Sequence, residues 1–190
     1  MKYRLFGPAL AGAFLSIASA AHAIEFNQFQ ASKSALSFVS KQMNVPVEGQ
    51  FKGFRSKIAF DPAKPAAARA ELEIDLASID AGSKDANDEV AGKAWFNTKV
   101  FPVAKFVSTS VKPLGGNRLE IAGKMSIKGK TLDLTTPISV RQEGNAAIFE
   151  GSLVLKRADY GIGDGIWADF GTVANEVQIK FRLVATAAAK

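Results

Sequence analysis

His22 is the one histidine in these 190 residues, and there is no cysteine. It sits in the opening stretch MKYRLFGPALAGAFLSIASAAHA, so a chain that loses this stretch keeps neither imidazole nor thiol. Imidazole general bases, Ser/His and Cys/His nucleophile systems, histidine-ligated haem and ordinary zinc sites then disappear together. Paired carboxylates for glycoside hydrolysis remain on the candidate strands, as Glu48, Glu71, Glu73, Asp75 and Glu150. All but Glu48 alternate with apolar residues, which turns them to water instead of toward a shared substrate. Asp85, Asn87 and Glu89 have the spacing that opens a calcium loop. The sixth position, however, is Val90 instead of Gly and the twelfth is Phe96 instead of Glu, so a capped helix start explains them better. In KRADYGIGDGIWADFG the glycines follow a GxGxG spacing with no helical pattern after them, which fails the dinucleotide fingerprint and leaves structural turns. That segment still gathers Arg157, Tyr160, Trp167 and Asp169 at one strand end, where a polar head group could be held beneath aromatic cover. Enzymatic chemistry is not expected.

The opening stretch has Lys2 and Arg4 before an apolar run from Leu5 to Ala20, then Ala21-His22-Ala23. This is the pattern of a secretory signal peptide cleaved after Ala23, and it directs the protein to the periplasm. The run is shorter than the roughly 20 residues of a bilayer span, although an uncleaved anchor is the competing reading. Residues 24–190 suit a single domain with a substantial core. Loss of Lys2 and Arg4 leaves 22 basic against 18 acidic residues, lowering the formal charge from +6 to +4. The basic residues are scattered, so no nucleic-acid arm is present. Their closest cluster, Lys124, Lys128 and Lys130, reads as a solvated hairpin end, or alternatively as a transient contact with anionic membrane head groups.

A period of two dominates the remaining chain. Ala70, Leu72, Ile74 and Leu76 oppose Arg69, Glu71, Glu73 and Asp75, and Val177, Ile179, Phe181 and Leu183 oppose Glu176, Gln178, Lys180 and Arg182. Similar alternation runs through Leu119–Ile127, Leu132–Val140 and Phe149–Leu155, with less regular strands near Leu36–Phe38, Val47–Phe51, Ile58–Phe60 and 104–112. Each strand has one wet and one dry face, and turn residues at Asp61-Pro62, 113–117, 128–130 and 143–145 join them as hairpins. The interruption at 83–96, SKDANDEVAGKAWF, predicts a short helix in a crossover that walls or lids the sheet. About eight antiparallel strands must bury one face each, which a sandwich or a closed barrel achieves. Closure also removes exposed edges, so the expectation is an all-β, about eight-stranded antiparallel barrel with one short helix.

An eight-stranded barrel is either just filled by its own side chains or just wide enough for one ligand. Phe38, Phe51, Phe60, Phe106, Phe149 and Phe181 fall on the dry faces, and Gly49, Gly53, Gly123 and Gly151 fall beside them. Missing side chains next to large ones predict room inside. The expected tail contacts are Phe38, Phe51, Ile74, Phe96, Phe106, Met125, Ile127, Phe149, Leu155 and Trp167, with Arg157 and Tyr160 at the head group. A filled barrel that binds a protein partner through the crossover around Trp95 and Phe101 is the alternative.

The order and spacing of VEGQFKGFRSKIAFDP, AELEIDLASIDAG, WFNTKVFPVAKFVSTSV, IAGKMSIKGKT and KRADYGIG resemble the YceI-like family over nearly all of the chain after residue 23. The resemblance implies a lipocalin-like antiparallel barrel in the periplasm, without catalysis, whose interior tunnel binds a polyisoprenoid, an isoprenoid quinone or a fatty-acid derivative. It implies no cofactor beyond such a lipid, and leaves monomer or homodimer open. Where family members often carry a His before the first strand and an Arg-Asp-x-His-Leu motif, this chain reads Lys33-Ser34 and Asn87-Asp88-Glu89-Val90. Each methylene taken out of water is worth about 0.8 kcal/mol, so a chain of some twenty carbons costs roughly 16 kcal/mol to leave solvated. Such a lipid needs a carrier to cross an aqueous compartment.

Overall fold

The computed structural model describes residues 24–188; the expected signal peptide lies outside the described residues. Eleven strands form one antiparallel sheet: β1 (Phe26–Phe29), β2 (Ala35–Gln42), β3 (Val45–Phe51), β4 (Phe54–Ala59), β5 (Arg69–Asp75), β6 (Ile79–Asp80), β7 (Val103–Gly115), β8 (Arg118–Ile127), β9 (Lys130–Glu143), β10 (Ala146–Lys156) and β11 (Glu176–Ala187). Hydrogen bonding runs in the order β4-β5-β7-β8-β9-β10-β11-β2-β3-β6. Only Lys52-Gly53 separates β3 from β4, so the two ends of this path are halves of one bent strand, and the sheet curls back on itself. The alternation predicts about eight strands and the sheet has eleven; the excess is the bent strand counted as two halves and the short additions β1 and β6.

The bend is specified locally. Lys52 N donates to Ser78 O at 3.1 Å and Asp75 N donates to Gly53 O at 2.9 Å, and a Cβ on Gly53 would lie 3.0 Å from that of Ser78. At the β2–β3 hairpin, Met43 and Asn44 both adopt positive φ, 48° and 64°, as do Lys128 and Gly129 between β8 and β9, at 48° and 77°. Positive φ at both central residues gives a two-residue loop the twist that matches its strands.

Strand β1 supplies a closure that the alternation did not indicate. Phe26 is 0% exposed, exchanges two backbone hydrogen bonds with Phe60 at 2.8 and 3.2 Å, and pairs with Ala187 of β11. Its ring lies 6.3 Å from that of Phe60, which in turn meets Phe149 edge-on at 5.3 Å. These three rings stop one end of the barrel. On the outside, the strand acids form cross-strand ion pairs: Glu71 with Lys57 and Lys105, Glu73 with Arg55 and Lys105, and Glu150 with Arg141 and Arg182. No two of these carboxylates face a common interior site.

The helix, α1 (Lys84–Ala91), is shorter than the predicted 83–96. Ser83 caps it by accepting from Ala86 N at 3.1 Å, and Gly92, with ψ 172°, turns the chain out of helical conformation. A series of turns follows, holding Trp95 and Phe96 against the barrel opening, with Phe96 N donating to Val90 O at 3.0 Å.

Candidate binding tunnel

The inner face of the sheet does not close on itself. A cavity of about 440 Å³ lies under α1. A deeper chamber of about 100 Å³ continues toward the Phe26–Phe60–Phe149 stack. Leu36, Ile74, Met125, Leu155 and Ile179 line both and form a waist between them. Along β10, Phe149 lies at the deep end and Leu155 at the waist, and Arg157 follows the strand. Eight residues at strand rise, tilted as barrel strands are, give an axial depth of about 20 Å. The combined space falls in the range of small-molecule and cofactor sites, roughly 300–1,000 Å³. A barrel filled by its own side chains, the premise of the interaction-module alternative, would leave no such space.

The structure brings the predicted residues to this one tunnel. Phe38, Phe51, Ile74, Phe96, Met125, Ile127, Leu155 and Trp167 line the upper cavity together with Arg157 and Tyr160, and Phe106 and Phe149 line the deeper chamber. Pattern reading passed over Leu36, Leu76, Ile79, Glu89 and Val90, which also line it. Leu36 and Leu76 stand on dry faces that the alternation already marked; Ile79 lies on the two-residue β6, too short to alternate, and Glu89 and Val90 enter only through the crossover. Exposed Gln42 and Glu89 contribute to the lining, so the opening lies between α1, the tip of the β2–β3 hairpin and the 157–175 loop.

The space does not arise as the glycines suggested. A side chain on Gly49 would collide with the Phe38 ring, one on Gly123 would come within 2.5 Å of the Phe106 ring, and one on Gly151 within 2.6 Å of the Phe181 ring. Each glycine gap is therefore already occupied by the Phe of a neighbouring strand. A ring seated against the glycine backbone leans to the wall while still lining the lumen, and this leaves the bore wider than a Phe pointing across it would.

Arg157 is 3% exposed, and its charge is committed to the main chain. Its Nε donates to Ala174 O at 3.1 Å, Nη1 to Ile162 O and Gly163 O at 2.9 and 2.7 Å, and Nη2 to Trp167 O and Val173 O at 2.7 Å each. All five guanidinium N–H groups are thereby used. The cation lies between the Trp95 and Phe170 rings, 5.5 and 5.4 Å from their centroids, and burial pulls its pKa down. The head-group role expected for Arg157 is replaced by a structural one: it moulds the 157–175 loop into the rim of the tunnel. Lysines extend the same device. Lys128 donates to Gly161 O at 2.5 Å and Ala94 O at 3.4 Å, and Lys130 donates to Asp159 O at 3.1 Å. Lys124 pairs with Asp133 at 2.9 Å. The lysine cluster is thus not a free solvated end; two of its members fasten the rim to the hairpin.

Tyr160 is 3% exposed and lines the cavity, and no hydrogen bond from its hydroxyl is seen among the described residues. Burial raises its pKa, and Asp159 raises it further, so the phenol stays protonated and can donate. Trp167 Nε1 donates to Glu89 Oε1 at 2.7 Å, tying the rim to α1 across the opening, and its ring tilts against Trp95 at 5.6 Å. Trp95 Nε1 is buried without an acceptor.

The YceI-like domain model matches residues 28–185. A Pseudomonas fluorescens protein, designated UPF0312 protein, is 30% identical over 165 residues, covering 81% of this chain and 77% of its own length. The crystal structure of Burkholderia cenocepacia BcnA superposes with a TM-score of 0.82 at 50% identity, over 84% of this chain and 100% of that one. The polyisoprenoid binding domain from Saccharophagus degradans implicated in plant cell wall breakdown shares the fold, with a TM-score of 0.69 at 21% identity, over 88% of this chain and 100% of that one.

Proposed function

The chain belongs to the YceI-like family, and from that premise we propose that it is a periplasmic carrier, exported by its opening stretch, for one long-chain apolar lipid. The ligand classes that fit are a polyisoprenoid, an isoprenoid quinone or a fatty-acid derivative. One observation carries the reading: two connected apolar chambers, about 440 and 100 Å³, run the length of a barrel that is open at one end and stopped by aromatic rings at the other. An extended tail fits this shape, whereas a compact polar metabolite would leave the deep chamber unfilled and its own polar groups unpaired. The polyisoprenoid binding activity of the Saccharophagus degradans domain supports the same ligand class.

The protein acts by sequestering its ligand and carries out no reaction on it. Its tunnel lining offers one carboxylate, Glu89, and two guanidinium groups, Arg157 in the upper cavity and Arg69 at the deeper chamber, all three engaged in structural hydrogen bonds. Ile166 and Phe170 on the rim loop are 84% and 51% exposed, and Met43 and Val45 on the neighbouring hairpin are 69% and 62% exposed. Met43 N donates to Thr172 O at 2.9 Å, which holds the two loops side by side. Apolar groups around the tunnel mouth support loading from a membrane surface by transient contact.

Organic extraction of the purified protein followed by mass spectrometry tests the reading. A near-stoichiometric lipid is expected; an empty extract from folded protein that also takes up no added prenyl or acyl lipid refutes it.

A further inference from the structure

The donors at the tunnel mouth are unequally committed. Arg157 has spent all five N–H groups on carbonyls of its own loop, and Glu89 already accepts from Trp167. Tyr160, by contrast, lines the cavity with a protonated hydroxyl that makes no hydrogen bond among the described residues, and Trp95 Nε1, in the same lining, is buried without an acceptor. A buried donor left unpaired is costly, so a native structure that keeps the Trp95 N–H in that state, in the same lining as a Tyr160 hydroxyl with no protein partner, keeps them for something that accepts.

We propose that Tyr160, with Trp95 as the second donor, forms a head-group site that selects an uncharged carbonyl oxygen and discriminates against phosphate and carboxylate heads. This rests on the lipid-carrier reading and specifies its ligand. Tyr160 makes the first contact; the Trp95 indole lines the same cavity, and its unpaired N–H is the second donor. A carbonyl oxygen has two lone pairs and needs no more than these two donors. A phosphate or carboxylate would need several charge-assisted donors to replace its water. It would find a guanidinium with none free and the Glu89 carboxylate in the same lining. An ammonium head would have only the partly occupied Glu89 to pair with. The lining therefore favours neither charge.

Three probes with a common geranylgeranyl chain test the proposal on the purified protein: one ending in hydrocarbon, one in a methyl ketone and one in a phosphate monoester. Affinities are read by displacement of a fluorescent fatty probe. The ketone should bind more tightly than either of the others. Tyr160→Phe should weaken the ketone by about three- to tenfold, the worth of one hydrogen bond, and leave the hydrocarbon unchanged. Trp95→Phe should act in the same direction on the ketone. Tighter binding of the phosphate overturns the proposal, as does an equal loss on the ketone and hydrocarbon arms, which would mean that Tyr160 only fills space. If ketone and hydrocarbon bind alike in both proteins, the carrier reading stands and head selection fails. If no probe binds, the carrier reading fails and takes head selection with it.

Discussion

The waist between the two chambers gives the tunnel a test of length. Leu155 lines both the upper and the deeper space, and Leu155→Trp places an indole across the passage. A tail that reaches the deep end fills about 100 Å³ that is otherwise void. At about 24 cal/mol per Å³ of apolar cavity, filling it is worth about 2.4 kcal/mol, or roughly 60-fold in Kd. The assay is competition by a series of linear prenols of increasing length against a fluorescent fatty probe. In the parent protein affinity should rise with length until both chambers are filled. In Leu155→Trp the rise should stop earlier, so that the longest prenol loses up to roughly 60-fold while those confined to the upper cavity lose little. Overpacking costs about 1–3 kcal/mol of stability, and thermal unfolding of the variant separates that cost from the binding effect. An unchanged length dependence, or an equal loss at every length, would refute a tunnel continuous through this waist.

Other perturbations follow from the same coordinates. Arg157→Met keeps the stem but leaves five rim carbonyls without their donor, which should cost on the order of 3 kcal/mol and lower Tm by about 6–12 °C in calorimetry. A drop under about 2 °C would contradict the structural role assigned to the guanidinium. Gly151→Ala sets a methyl 2.6 Å from the Phe181 ring and 3.1 Å from Ile138 Cγ2, so the ring must move into the bore. Stability should fall by about 1–3 kcal/mol and long-tail affinity should fall with it; an unaffected long-tail affinity would show that the ring has another place to go. Salt-bridged Glu73, with Lys105 its main partner, and Asp80, held by Lys52, have pKa values below their ordinary 4.5 and 3.8. Backbone donation from Gly171 lowers Asp169 below 3.8 in the same way. Their contribution is complete above those ordinary values and is lost as pH falls through the lowered ones, so the urea midpoint should decline on acidification below about pH 4.5. A midpoint flat from pH 5 to pH 2 would show these pairs to be energetically idle.

Period-two alternation made the barrel wall legible because a strand with one wet face encodes its own inward side. The Leu72–Ile74 and Ile179–Phe181 faces and the outward acids follow from that one pattern. Strand β1 escaped it: four residues are too few to show alternation, and the burial of Phe26 depends on a bridge to Phe60, thirty-four residues away, that no local pattern announces. The end of α1 was set five residues too late because the apolar and charged residues of 92–96 continue a helical look past Gly92. The glycines depart from the expected role for a tertiary reason. A gap in one strand is also a seat for the ring of its neighbour, and sequence order does not say which way Phe38, Phe106 and Phe181 lean.

The mouth was legible in composition and opaque in role. The sequence places Arg157, Tyr160 and Trp167 together, and an arginine beside aromatics reads naturally as an anion clamp. What decides otherwise is where the carbonyls of residues 162, 163, 167, 173 and 174 point, which is a property of the folded loop. Once the loop carbonyls have taken up the guanidinium, the strongest cation at the opening becomes scaffold. On the head-group proposal, polar discrimination then falls to the Tyr160 phenol and to the Trp95 indole, whose N–H is buried without an acceptor. In a carrier of the proposed kind wall and mouth would divide the work: repeated apolar contacts along the wall bind tails by area with little regard to their chemistry, while a few donors at the mouth, worth only about tenfold each, rank ligands whose tails are identical.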